Sequence, residues 1–104
     1  MGDMLNITTE QKDGKLEVVL DGRLDTTSSP ILEGRLKKEI GDTEELVFDM
    51  KELVYISSAG LRVLLSAQKV MNRQGSMKLQ NVPENVMEIF DVTGFSDILM
   101  IEGQ

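Results

Sequence analysis

The sequence predicts an α/β fold in which a mixed sheet of four to five strands carries helices packed against it, in a single domain over residues 1–104. Three observations predict it. Asp13-Gly14, a dipeptide favoured in two-residue hairpin turns, separates two segments of alternating polarity. After the second segment, stretches with helical spacing of apolar residues alternate with short strand-like runs, the pattern of strands joined by helical crossovers. Leu46-Val47-Phe48 is a continuous apolar run, as expected of a strand covered on both faces.

The elements follow in order. Leu5, Ile7 and Thr9 alternate with more polar neighbours as a half-buried strand. Leu16, Val18 and Leu20 form one face of the second strand, which Asp21-Gly22 is expected to end. The polar cluster Asp25-Thr26-Thr27-Ser28-Ser29 then enters a helix with Pro30 in its first turn. Leu32, Leu36 and Ile40 make its apolar stripe, and Gly41 is its stop. The strand Leu46-Val47-Phe48 is expected to end at Asp49. A second helix is predicted from Ser58 to about Gln74, facing inward at Leu61, Leu64, Leu65, Gln68 and Met71, with Arg62, Ser66, Lys69 and Arg73 solvated and Gly75 as stop. Met77 to Val82 alternates as a strand, and Pro83 opens a third helix facing inward at Val86, Met87, Ile89 and Phe90. Gly94 ends that helix, and Phe95 with Ile98 to Ile101 forms a last packed turn or short strand.

Composition removes several function classes. With 104 residues the chain can build one core and not two. Seven methionines against three phenylalanines, one tyrosine and no tryptophan imply a core filled by flexible aliphatic side chains. Neither cysteine nor histidine is present, so a thiolate nucleophile, a serine–histidine pair and the usual zinc site cannot be built. Asp21 and Asp25 are two carboxylates without further ligands, which does not amount to a metal site. The glycines are scattered, so no phosphate-cradling loop and no cofactor are expected. The net charge of −7 has the wrong sign for nucleic acid. No run of about 18 apolar residues is present, so no membrane insertion is expected. Met1-Gly2-Asp3-Met4 has neither region of a leader, and Asn6 stands where N-myristoylation needs serine or threonine, so a cytoplasmic location is expected.

What remains is Ile56-Ser57-Ser58-Ala59-Gly60-Leu61 at the start of the second helix. A serine before a helix is a preferred N-cap, and usually nothing more. The first turn also presents unpaired N–H groups and the positive end of the helix dipole, where a phosphate is tolerated. Cap geometry here favours Ser58 over Ser57. Asp25 reads equally as a turn aspartate. Asp49 either bonds nearby backbone at a strand end or meets a basic partner patch. The parallel crossovers leave the Asp25–Pro30 and Asp49–Ser58 loops free to meet at one sheet end, where open sheets place their sites.

Gly22-Arg23-Leu24-Asp25, Leu46-Val47-Phe48-Asp49 and Ile56-Ser57-Ser58-Ala59-Gly60-Leu61 resemble the STAS domain of anti-anti-sigma factors. The resemblance continues through Lys78-Leu79-Gln80-Asn81-Val82, Phe90, Thr93-Gly94 and Ile98, in order along nearly the whole chain. It implies an anti-sigma factor antagonist rather than an enzyme. The unphosphorylated form would bind an anti-sigma factor that is also a serine kinase, and phosphorylation would block that binding. A metal-dependent serine phosphatase would reverse the modification. The resemblance puts the phosphoacceptor on Ser58, with Ser57 as second choice, and partner contacts at Asp25, Thr26, Asp49, Ser57, Ala59 and Gly60. Many family members have aspartate before the acceptor and serine or threonine after it, where this chain has Ser57 and Ala59. The alternative is a STAS interaction module of a transporter-associated or other signalling complex, without a sigma-factor role.

Overall fold

The computed structural model describes residues 5–102, so Met1-Gly2-Asp3-Met4 lies outside the described residues. The elements are β1 (Asn6–Lys12), β2 (Lys15–Leu24), α1 (Ser29–Glu39), β3 (Glu45–Ile56), α2 (Ser58–Gln74), β4 (Ser76–Gln80), α3 (Glu84–Thr93), a 3₁₀ turn (Phe95–Asp97) and β5 (Ile101–Glu102). The strands lie in chain order in one sheet, β1 antiparallel to β2 and the rest parallel. Asp13 and Gly14 both have positive φ, 53° and 82°, as the tight turn joining β1 to β2 requires.

Parallel crossovers are almost always right-handed, and three that each advance one strand in the same direction carry their helices on the same face. Register lines that face with rows of apolar side chains. Leu16, Leu46 and Met77 make one row, and Val18, Phe48, Leu79 and Ile101 the next. Leu32 and Leu36 of α1, Leu61 and Leu64 of α2, and Val86 and Phe90 of α3 close the core over them. Among the described residues the opposite face carries no helix. Val47 is buried there, in register between Glu17 and Lys78, whose long side chains border it. Lys78 is tied to Glu45 at 3.3 Å and Glu102 at 3.4 Å. The run Leu46-Val47-Phe48 is therefore buried on both sides, under helices on one face and between long side chains on the other.

Two expectations fail, for one reason. β2 continues past Asp21-Gly22 to Leu24, and β3 continues past Asp49 to Ile56. Their pairing is kept by two register shifts, one between Val19 and Asp21 and one between Gly22 and Arg23. At each, β3 supplies one extra residue, as in a β-bulge. The inward stripe of α2 is also rotated. Val63 and Ala67 are buried with Leu61, Leu64 and Met71, because α1 covers that flank, while Leu65 and Gln68 sit at its margin. Among the described residues, no helix is long and apolar enough to cross a membrane.

Candidate functional site

The paired C-terminal ends of β2 and β3, Leu24 and Ile56, are buried, and both strands turn there into helices. The Ser57 N–H donates to the Leu24 carbonyl at 2.9 Å, adding one more bond to the ladder. This bond holds Ser57 in an extended conformation, and its Oγ accepts from the Gly60 N–H at 3.3 Å. Ser57 is therefore the N-cap of α2, which corrects the cap assignment to Ser58. Ser58 is the first residue of the helix and is exposed. Its hydroxyl makes no hydrogen bond among the described residues.

Gly60 explains why this helix start lies so close to the sheet. A Cβ there would stand 2.8 Å from Leu24 Cγ and 2.9 Å from Ile56 Cγ1. The residue is buried and has no side chain, so its place close to the sheet serves the packing of α2. Ala59 is half-buried and lines a groove of about 380 Å³ between α1 and α2, together with Thr26, Ser29, Pro30, Glu33 and Arg62. Thr26 is exposed.

Asp25 organises the entry to α1. Its Oδ1 accepts from the N–H groups of Thr27 and Ser28, each at 3.0 Å. The Ser28 hydroxyl accepts from the Asp25 N–H at 2.9 Å and donates to the Arg23 carbonyl at 2.6 Å. These bonds, the Ser28 N–H foremost, hold the Asp25 carboxyl below the usual carboxylate range, with the Arg23 guanidinium 3.7 Å from Oδ2 adding to the effect. The turn role of Asp25 is thus present in full, and it sets the position of Thr26.

Asp49 lies elsewhere. It sits on the helix-free face between Val19 and Gln80, accepting from the Lys51 N–H and from Asn81 Nδ2, both at 3.1 Å. Seven residues of β3, roughly 20 Å at about 3.3 Å each, separate it from the strand's end. The expected Asp49–Ser58 loop does not exist, and Asp49 is not part of the Ser58 end. Sequence reasoning also passed over Arg23, Val54 and Tyr55. The Arg23 guanidinium lies 4.4 Å from the Tyr55 ring centroid, and Val54 and Tyr55 are exposed beside the helix start. Their position just before the serine pair was the available signal. Among the described residues no group of three or more acidic side chains could hold a metal ion.

Residues 6–103 match the STAS domain family, and the chain belongs to that family. It is 31% identical to the anti-sigma-B factor antagonist of Bacillus subtilis (strain 168), over 96% of this chain and 93% of that protein. Its fold is similar to that of an anti-sigma factor antagonist from Mycobacterium paratuberculosis, with a TM-score of 0.88, 19% identity and coverage of 100% of this chain and 90% of that one. It is similar also to the Bacillus cell fate determinant SpoIIAA in its phosphorylated form, with a TM-score of 0.74, 16% identity and coverage of 95% and 93%.

Proposed function

We propose that this chain is an anti-sigma factor antagonist acting in the cytoplasm, a binding protein rather than an enzyme. In this reading its unphosphorylated form binds an anti-sigma factor that is a serine kinase, freeing a sigma factor. Phosphorylation of Ser58 ends the binding, and a metal-dependent serine phosphatase restores it. The observation that carries the reading is the division of labour between adjacent serines. The Ser57 hydroxyl is occupied by the Gly60 N–H, while that of Ser58 is exposed and unbonded on the first turn of α2. The relative from Bacillus subtilis, matched along nearly its whole length, supports the class of partner.

The partner face is the end of the sheet around Ser58: Thr26 and the groove beside Ala59 on one side, Val54 and Tyr55 on the other. A neutral hydroxyl there fits against a partner, whereas a phosphate brings about −1.5 to −2 charges and a shell of water. The fold tolerates the charge because it lies at a helix N-terminus. Retention of an anti-sigma kinase from cell extract by the unphosphorylated chain, and its loss after phosphorylation by that kinase, tests the reading. Retention of transport proteins without any kinase would defeat it.

A further inference from the structure

We propose that Arg62 is the receiving group for a phosphate on Ser58, so that modification forms a clamp within the first turns of α2. The proposal rests on the reading of Ser58 as the acceptor. Ser58 is the first residue of α2 and Arg62 stands four residues on. At about 100° per residue the two lie on one face, one turn apart. Both are exposed. An anion preceding a cation at this spacing is the favourable order, and the phosphate also suits the positive end of the helix dipole.

Arg62 is available. It makes no ion pair among the described residues. Between Ser58 and Gln68 it is the only charged side chain. The other guanidinium at this end, Arg23, is engaged by Asp25 and by the Tyr55 ring. The charged group that lines the groove with Arg62 is Glu33 of α1. The planar guanidinium presents paired N–H donors that match phosphate oxygens, so the interaction is directional as well as electrostatic.

The consequence concerns the partner face. Arg62 lines the groove between α1 and α2 beside Thr26 and Ala59. Capture by the phosphate draws the guanidinium toward the helix start. One modification then changes two features at once, the hydroxyl and a free cation.

The test uses the full chain with phosphoserine incorporated during translation at position 58, so that no kinase is needed. The second ionisation of the phosphate is followed by phosphorus NMR in the wild-type background, in Arg62→Gln and in Arg62→Lys. The expected midpoint is about 0.5 unit lower in the Arg62 chain than in Arg62→Gln, roughly a threefold change in proton affinity. Arg62→Lys should fall between them, and the difference should shrink in high salt. Equal midpoints in all three chains would overturn the clamp. Failure of Ser58 as the natural acceptor would appear separately, as undiminished kinase labelling of Ser58→Ala, and the NMR result would still decide the pairing.

Discussion

The Ser57 hydroxyl accepts the Gly60 N–H at 3.3 Å, and this bond separates the roles of two otherwise interchangeable serines. It follows from the bond before it, in which the Ser57 N–H meets the Leu24 carbonyl and fixes Ser57 as the last extended residue. The helix can only begin at Ser58. The residue with a free hydroxyl is then the one at the positive end of the helix.

Stability should distinguish the serines. Ser57→Ala removes the side-chain cap of α2 and should cost about 1 kcal/mol. Ser58→Ala removes an exposed, unbonded hydroxyl and should stay within about 0.5 kcal/mol of wild type. Urea denaturation of the two variants measures both. A larger loss for Ser58→Ala would contradict the cap assignment.

Asp25 should leave a signature in acid. Its carboxyl is lowered from 3.8 in the folded chain, chiefly by the Ser28 N–H. A carboxylate lowered on folding stabilises the protein above its unfolded value, and that contribution is lost as pH falls through the folded value. The loss therefore lies below about pH 3.8. Glu39 and Glu102 are lowered too, so the comparison must be between wild type and Asp25→Asn across pH 2–5. The difference in melting temperature between the two chains should narrow as the pH falls. A constant difference would mean that the Asp25 charge contributes nothing to the turn.

Much of this architecture is legible in the sequence because local chemistry demands it. Asp13-Gly14 was readable since both turn positions need positive φ. The ends of β2 and β3 were not. Along the second half of β3, Met50, Leu53 and Ile56 are buried while Val54 and Tyr55 are exposed, a spacing of three instead of two. Each bulge shifts the parity by one residue, so the alternation that marks a strand is erased and Asp21-Gly22 and Lys51-Glu52 look like loops. Asp49 was misplaced for the same reason. The choice of cap was hidden because it depends on a bond to Leu24, distant in sequence.

Gly60→Ala should show how tightly α2 is seated. The new methyl would meet Leu24 and Ile56 within 3 Å, and both belong to the buried core at the strand ends. Alanine favours helix, which offsets the clash by up to about 1 kcal/mol. Overpacking of this kind costs about 1–3 kcal/mol, so the net effect should be destabilising. Chemical denaturation reads it directly. A stabilised Gly60→Ala would mean that the strand ends yield easily and that the close approach is not needed.

Ser58→Asp should weaken partner binding while leaving the fold intact. A carboxylate on the first residue of α2 interacts favourably with the helix N-terminus, by about 0.3–1 kcal/mol, so the melting temperature should hold or rise slightly. On the proposed reading the same charge must be desolvated against a partner surface matched to a hydroxyl. One charge and two oxygens imitate phosphate only in part, so the loss of affinity should be smaller than that produced by phosphoserine. Affinity for the anti-sigma kinase and thermal unfolding are to be measured on the same samples. Unchanged affinity in both Ser58→Asp and the phosphoserine chain would defeat the switch. A loss of affinity that tracks early melting would instead defeat the electrostatic explanation, because the helix start would then be failing to accept the charge.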